Sequence, residues 1–578
     1  MQIVPVIPTA CANWTYGAPV CTSKGSAQCA GCKLVLYCGP KCQKSHWPEH
    51  KKDCRSPLSK SSWRPTWDRE NRAPAWSSGD AATNIHNPYG ATDKYLWGNV
   101  PAIDVLQLGR NEGSQHADKI ALLFAASGDL RNVVKTISHI PESFANRVRV
   151  TINDREFEVV ARNAILLLFA FTSLDQERPI PEIAEGLIHL WYSAFLPADL
   201  LSSLQSRVGT LISPVCIGIK DKATGTLHKK RWKFRSGSTL RLNLEKNEWL
   251  RLEQSLHVPE GLGFEEARKI RSATVMAPGR MDYRDRWYYK DATPSMRLAK
   301  QRFREDGLLL SFGHPRIGFD SPNPTLFQTP NSWPMDDKAD PLAGWCIRDV
   351  NKMSSRATLD LYGNLFAYLR DELGKFLDRL VSVKIDFQLY CLDVRDLPPH
   401  LDHKAYNRIE VSNITDAGPA YVGTETTLGL LFPLLQTPKQ NTHATIITSY
   451  LNAVMGVFKM SSQQDQIPNM DLLLEYLGKS AETLISSPQG AALYKIWDSR
   501  SLVLDRKRYF EGFMALQEFD TISTALGVTM KKTNTVIEPW PTALKLRPAQ
   551  KGAQEEFDLL LASNFSGLER YVEWIWAE

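Results

Sequence analysis

The sequence lacks any uninterrupted apolar run of about 20 residues, so no membrane-spanning helix is predicted. The first ten residues, MQIVPVIPTA, have no basic start and too short an apolar stretch for a signal peptide. A net charge of +6 over 578 residues is too mild to indicate nucleic-acid binding by itself. We therefore expect an intracellular protein, cytoplasmic or nuclear, that is not bound to a membrane.

The chain also lacks the short signatures of several enzyme classes. It has no Gly-x-Ser-x-Gly, no phosphate-binding loop and no His-Glu-x2-His. His400 and His403 lie beside Asp402, but no third ligand stands within motif distance, so surface histidines are the better interpretation. The basic stretch HKKRWKFR, from His228 to Arg235, is interpreted as a solvent-exposed hairpin strand rather than a nucleic-acid contact or nuclear signal.

Cysteine is scarce beyond residue 55, because seven of the ten cysteines precede it. In a reducing compartment, such a cluster with nearby histidines indicates metal binding rather than disulfides. The spacing is Cys-x2-Cys, then Cys-x3-Cys, then His-x3-Cys, and the last two fit one turn of a helix. Eight ligands suffice for two tetrahedral zinc ions, and the segment has too few large apolar residues to fold without metal. The predicted ligands are Cys11, Cys21, Cys29, Cys32, Cys38, Cys42, His50 and Cys54.

The order Cys-x2-Cys, Tyr-Cys-x3-Cys-Gln, His-Trp-x2-His-Lys-x2-Cys resembles the MYND zinc finger. The resemblance covers residues 1–54 and implies interleaved ligation. Site one would take Cys11, Cys21, Cys38 and Cys42, and site two would take Cys29, Cys32, His50 and Cys54. The first pair departs from the family, since nine residues separate its cysteines where two are usual. His46 is a spare candidate, interpreted as a packed neighbour of Trp47.

Both predicted zinc sites are closed, because protein side chains fill all four positions and leave none for water or substrate. The zinc is therefore expected to be structural. MYND fingers resemble binders of short proline-containing peptides, which implies a protein partner; a finger that only packs on its own chain is the alternative. We expect chelation to unfold residues 1–54 and to change little beyond residue 93.

Residues 55–92 are rich in proline, serine, tryptophan and arginine and have no helical or strand period, which predicts a linker. The three tryptophans within it, Trp63, Trp67 and Trp76, indicate that this linker lies against a surface.

Beyond the linker the pattern predicts an α/β protein with a split parallel sheet. Apolar strands near 120–126 and 147–152 are each followed by a helical pattern, and further strands follow near 385–392, 407–412 and 443–449. We predict that all five lie in one mainly parallel sheet. The predicted domain spans 93–460, with a large helical insertion at 172–380 that ends in an amphipathic helix of leucines and phenylalanine. Residues 461–578 are predicted to form a helical C-terminal tail.

This order of strands and helices resembles the Rossmann-like sheet of class I S-adenosylmethionine (SAM) methyltransferases. By position, the resemblance implies Gly128 in the glycine loop, Asp154 at the ribose and Asp396 at the adenine. The loop AASGD has one glycine where two or three are usual, so a fold without cofactor is the favoured interpretation.

A second resemblance rests on four stretches: LWGNVPAIDVL, LLFAASGDLRNVVKTI, VARNAILLL and DLYGNLFAYLRDEL. They are similar to the N-terminal domain of dynein axonemal assembly factor 3, a domain that follows a MYND finger in fungal proteins of unknown function. The resemblance implies an intracellular, fungal-type adaptor, regulator or assembly factor rather than an enzyme. The SAM-dependent methyltransferase is the alternative.

Overall fold

The structure is a computed structural model that describes residues 10–17, 19–78, 89–91, 94–353, 356–461, 469–477, 490–563 and 565–577. Its N-terminal module is small: an antiparallel pair of two-residue strands, β1 and β2, precedes one helix, α1. Pro40 occupies the first position of α1, where the missing N–H costs no hydrogen bond. The bounds are β1 Ala27–Gln28, β2 Leu36–Tyr37 and α1 Pro40–Cys54.

The segment after α1 lies on the rest of the chain, as its tryptophans predict. The Thr66 N–H donates to Asp285 Oδ2 at 2.7 Å. Trp67 is fully buried, and its ring meets the Trp76 ring edge-on at 5.0 Å. The predicted contact of this linker with a surface is confirmed for the described residues 55–78, whereas residues 79–88 and 92 of the predicted linker lie outside the part that the structure describes.

A sheet of nine strands organises the remaining residues. Its spatial order is β12-β13-β11-β10-β3-β4-β9-β7-β6, and the six strands from β11 to β7 run parallel. The bounds are β3 Ile120–Phe124, β4 Val148–Asp154, β6 Leu227–Lys233, β7 Thr239–Glu245, β9 Ile385–Cys391, β10 Arg408–Glu410, β11 Thr445–Tyr450, β12 Val528–Met530 and β13 Arg570–Trp576. A separate antiparallel pair joins β5 Phe195–Pro197 to β8 Phe319–Pro322.

All five predicted strands lie in this sheet, so the prediction of one mainly parallel sheet split by a long insertion is confirmed. Two parts of the prediction need correction. The insertion 172–380 is not wholly helical, because its hairpin β6–β7 extends the sheet and β7 pairs in parallel with β9. The tail 461–578 is not wholly helical either, because β13 pairs antiparallel with β11 and carries β12 beyond it. Both additions satisfy edge strands that would otherwise have unpaired backbone groups.

Helices cover both faces of the sheet and fill the insertion. The helices after α1 are α2 Thr66–Arg69, α3 Arg131–Ser138, α4 Phe157–Asp175, α5 Ile180–Tyr192, α6 Ala198–Leu204, α7 Thr210–Gly218, α8 Lys246–Gln254, α9 Phe264–Val275, α10 Met281–Arg284, α11 Pro294–Asp306, α12 Ile347–Asn351, α13 Leu361–Ser382, α14 Thr424–Leu431, α15 Ala453–Met460, α16 Met470–Leu477, α17 Ala491–Ser499, α18 Arg506–Leu516, α19 Phe519–Leu526 and α20 Ala553–Ser563. Within the described ranges, two π-helical turns occur, at Gln205–Gly209 and Asp285–Tyr289. The predicted amphipathic helix is α13.

The core lies on both faces of the sheet, as expected for parallel strands covered on each side. In β3, Leu122 packs into one apolar cluster and Leu123 into the other. Helix α4 is long and apolar enough to cross a membrane by length and composition, but 83% of that window is buried within the protein. Its side chains pack in the same cluster as Leu122, which is the environment of a core helix.

Candidate metal centre and sheet-edge site

Site two is assembled from the loop before β2 and the last turn of α1. His50 Nε2 lies 3.5 Å from Cys32 Sγ and 3.3 Å from Cys29 Sγ. Cys54 Sγ lies 4.0 Å from Cys29 Sγ. Four ligands at about 2.0–2.3 Å from one zinc ion lie roughly 3.3–3.8 Å apart, so this spacing fits a tetrahedral site.

Site one joins the N-terminal loop to the first turn of α1. Cys38 Sγ lies 3.4 Å from Cys42 Sγ and 3.9 Å from Cys21 Sγ. Cys11 Sγ accepts the Cys38 N–H at 3.3 Å. The four ligand atoms of each group lie within 4.8 Å of one another. The wide spacing between Cys11 and Cys21 is therefore no obstacle, because the chain folds back between them, and the two sites fit zinc binding.

Without a cation, burial and neighbouring thiols raise the pKa of several of these cysteines and so disfavour their ionised form. Hydrogen bonds from Cys32 and His50 lower the pKa of Cys29 to about 3, whereas burial raises the pKa of Cys54. Burial likewise raises the pKa of Cys11. Zinc binds thiolates, and its charge offsets the repulsion among them that burial would otherwise make costly. When bound, the ion would supply structural cross-linking of the finger.

His46 stands outside both groups. Its Nδ1 bonds the Tyr37 hydroxyl at 3.0 Å, and its ring stacks on the His50 ring with centroids 6.0 Å apart. Burial lowers the pKa of His46 to about 4, so the ring is neutral at physiological pH. It supports the ring of a ligand instead of serving as one.

The finger is fixed to the body of the protein on one side. Trp14 Nε1 donates to the Gly313 carbonyl at 3.0 Å, and Ser295 Oγ donates to the Cys32 carbonyl at 3.0 Å. Arg302 pairs with Asp53 at 2.5 Å, next to the ligand Cys54. These anchors belong to residues that nothing in the local sequence marks, so only the fold identifies them.

The carboxyl edge of the parallel strands is the second candidate site, because open α/β sheets bind ligands there. Here the chain's own segment 96–103 covers the turn after β3. The Gly98 N–H donates to Asp129 Oδ2 at 2.8 Å, and Arg131 Nε donates to the Val100 carbonyl at 2.9 Å. A Cβ on Gly98 would lie 2.3 Å from Arg131 Nη1, so the fit is close.

The three predicted cofactor residues are only partly brought together. Gly128, at φ +56°, donates its N–H to Asp154 Oδ2 at 2.9 Å, and Asp154 Oδ1 accepts the Glu156 N–H at 3.0 Å. Burial raises the pKa of Asp154. Asp396 is exposed in the turn after β9. Both oxygens of Asp154 thus already bond to backbone in this arrangement.

Comparison with protein families recognises two parts of the chain. Residues 19–54 match the MYND finger, and residues 96–196 match a domain of unknown function (DUF4470). The chain therefore contains a MYND zinc finger, a module that generally mediates protein–protein interactions, followed by a DUF4470 domain. The finger match begins after Cys11, so that ligand is supported by the geometry of site one.

Curated relatives match the finger alone. The N-lysine methyltransferase SMYD2-B of Danio rerio is 43% identical over 44 residues, which is 7% of this chain and 10% of that protein. The SET domain and MYND-type zinc finger protein 6 of Schizosaccharomyces pombe is 36% identical over 55 residues, 9% of this chain and 11% of that protein. The chain thus matches about a tenth of the length of each relative. No solved structure matches the chain significantly.

Proposed function

We propose that this protein is a zinc-stabilised intracellular adaptor, regulator or assembly factor that binds a protein partner through the free side of its finger. The observation that carries the proposal is the division of the finger into a docked side and a free side. The docked side contacts Ser295, Arg302 and Gly313. The zinc ligands fill both sites, so the finger offers a surface and not a reaction centre.

Exposed residues of the finger near the site-one ligands are both apolar and basic, since Val20 adjoins Cys21 and Lys41 adjoins Cys42. We define the partner surface as Tyr16, Val20, Lys41 and Lys44, all of them exposed. Tyr16 is 74% exposed and meets the Trp14 ring edge-on at 5.7 Å, so an anchored ring supports it. A finger that exposes both an aromatic ring and lysines suits a segment that presents proline or another apolar residue together with acidic ones. We therefore propose an acidic, proline-containing peptide segment as the occupant.

The test is a peptide-display selection on the full-length zinc-loaded protein, with selected peptides titrated by fluorescence anisotropy. We expect enrichment of proline and acidic residues. Tyr16→Ser should weaken binding about fivefold to thirtyfold, the effect of losing one aromatic anchor worth about 1–2 kcal/mol. Tyr95→Ser, at a tyrosine that is 56% exposed on the body, is the matched control and should bind like the wild type. Equal loss in both variants, or none in either, would contradict the proposal.

A SAM-dependent methyltransferase stays the second candidate because of one observation. If the five predicted strands β3, β4, β9, β10 and β11 are numbered 1 to 5 along the chain, their order across the sheet is 3-2-1-4-5. This is the order of doubly wound nucleotide-binding folds. Against it, segment 96–103 covers the turn after β3, and Asp154 is already bonded to Gly128. We expect calorimetry with SAM and with its demethylated product to show no heat of binding. A micromolar dissociation constant for either would make the methyltransferase the leading function.

A further inference from the structure

A cavity of about 450 Å³ lies outside both sites described so far. Helices α4, α5, α6 and α13 enclose it, together with the loop that follows α11. Its volume is within the range of small-molecule sites, about 300–1,000 Å³. Its apolar wall includes Phe169, Ile183, Leu200, Leu310, Phe319 and Phe366.

Two arginines of this cavity are paired with carboxylates. Arg178 pairs with Glu182 at 2.9 Å, and Arg370 pairs with Glu185 at 3.1 Å.

Arg207 and Asp199 of the same cavity have no ion-pair partner among the described residues. Asp199 is exposed, and its Oδ1 accepts the Leu200 N–H at 2.9 Å. Arg207 Nη1 donates to Ser173 Oγ at 2.7 Å, and the Arg207 guanidinium lies 5.8 Å from the centre of the Phe169 ring.

The position of Arg207 is also unusual in its backbone. It belongs to the π-helical turn Gln205–Gly209, and such turns are frequent at functional sites. Burial and the nearby Arg178 lower the pKa of Arg207, which means that its positive charge is disfavoured where it stands. A bound anion would relieve that cost.

Two neutral histidines add hydrogen-bonding groups to the same wall. Ser193 Oγ accepts the Leu309 N–H at 3.2 Å, so its own hydrogen can go to His189 Nδ1 at 3.0 Å. Burial lowers the pKa of His189 to about 3, and the neutral ring then carries its hydrogen on Nε2. His314 Nδ1 bonds the Pro315 carbonyl at 2.8 Å, which makes Nδ1 the donor and Nε2 the acceptor. The pair therefore offers one donor and one acceptor to a ligand.

We propose that this cavity binds a small organic anion with one negative group and an apolar, ring-sized body. The negative group pairs with Arg207, and the body packs against Phe169, Phe319 and Phe366. A single charge is specified because one cation is free while the other two are neutralised by Glu182 and Glu185. A carboxylate, a sulfonate or a phosphate monoanion would supply the same chemistry.

The test uses two fluorescent probes that share one aromatic body. 1-Anilinonaphthalene-8-sulfonate carries a negative sulfonate, and N-phenyl-1-naphthylamine lacks it. Titrated into the full-length zinc-loaded protein, the sulfonate probe should bind at least about tenfold more tightly, the equivalent of about 1.4 kcal/mol for one partly desolvated ion pair. Arg207→Gln should remove that difference and leave the affinity for the neutral probe within about twofold.

The matched control is Arg235→Gln, at an arginine that is 68% exposed and pairs with Glu177, and it should bind both probes like the wild type. Ala367→Phe places a ring in the cavity and should abolish both signals. If that variant melts well below the wild type, Ser203→Phe at the half-exposed rim serves instead. Equal affinity of the wild type for both probes would overturn the proposal. Unchanged probe binding in folded Arg207→Gln and in a folded Ala367→Phe or Ser203→Phe variant would also overturn it. Carboxylate and phosphate-monoester competitors then distinguish the natural classes of anion.

Discussion

Single residues decide whether each zinc site is complete. Cys54 closes site two with Cys29, Cys32 and His50, and no other cysteine among the described residues lies within reach of that group. We expect the wild type to bind about two zinc ions per chain and Cys54→Ser to bind about one, since a hydroxyl is a poor ligand for zinc. Elemental analysis of the purified protein measures this.

The matched control for that prediction is Cys391→Ser, at a half-buried cysteine at the end of β9, which should keep two ions. Two ions in Cys54→Ser would show that Cys54 is not a ligand. One ion in the wild type would remove Cys11 and Cys21 from the ligand set.

Glu410 is a residue whose charge state should affect stability. Burial raises the pKa of Glu410 to about 7, although the Ser412 N–H and Arg131 act to lower it. The unfolded pKa is about 4.3, so the folded state binds the proton more tightly. Stability is therefore full below about pH 4.3 and falls as the pH rises toward 7.

Glu410→Gln keeps the shape and cannot ionise, so it should be more stable than the wild type at pH 8 and about equal at pH 4. The gain is on the order of 1.4 kcal/mol per unit of pKa shift. Thermal unfolding at both pH values measures it, with Glu425→Gln at an exposed position as the control. If the melting temperatures of the wild type and of Glu410→Gln change with pH in the same way, the prediction is contradicted.

At the scale of an element, one buried carboxylate on β13 holds residues 531–537 against the sheet. Glu573 is fully buried, accepts the N–H groups of Val536 and Ile537 at 2.8 and 3.0 Å, and pairs with Lys531 at 2.8 Å. Removing one member of a buried pair leaves the other uncompensated and typically costs about 3–5 kcal/mol.

We therefore expect Glu573→Ala to lower the free energy of unfolding by about 3–5 kcal/mol, measured by urea denaturation followed by tryptophan fluorescence. Glu511→Ala is the control, because its pair with Lys507 is 3.8 Å apart and both side chains are largely exposed. It should cost less than about 1 kcal/mol. Similar losses in both variants would mean that β13 is not held through Glu573.

At the scale of the whole molecule, the finger and the proposed cavity share one segment. Leu310, Ser311 and His314 line the cavity, while Gly313 between them accepts the Trp14 bond from the finger. Arg302 also links the finger to this segment, since it pairs with Asp53 and lies 4.4 Å from the Phe312 ring centre. Loss of zinc should therefore loosen the cavity wall as well as the finger.

This expectation replaces the one drawn from the sequence, which confined the effect of chelation to residues 1–54. After zinc removal, hydrogen exchange should rise in residues 10–54 and also in 294–316, while 506–526, whose buried aromatic side chains pack in the other apolar cluster, stays unchanged. The affinity for the sulfonate probe should fall in parallel. Exchange that rises in the finger alone would restore the original expectation and show that the contacts at Gly313 carry no coupling.

The sequence by itself determined the features that depend on neighbours along the chain. The ligand spacing before residue 55 predicts two metal groups, because a knuckle and helical turns place their donors together with little help from elsewhere. The alternation of apolar strands with helices predicts the parallel sheet, because a parallel pair requires a crossover. The resemblance, and not the spacing, supplied the interleaving of Cys11 and Cys21 with the other ligands.

Only the tertiary structure decided the rest, because those features depend on residues far apart in the chain. The edge pairs β6–β7 and β12–β13 join the sheet by pairing with β9 and β11. The sequence pattern does not predict these pairings. Segment 96–103 covers the turn after β3 only in the folded chain, where Gly98 and Val100 pack against Arg131. Arg207 differs from Arg178 and Arg370 only in the folded structure, where the latter two pair with carboxylates. Whether a charged side chain is paired depends on which residues the folded chain brings next to it.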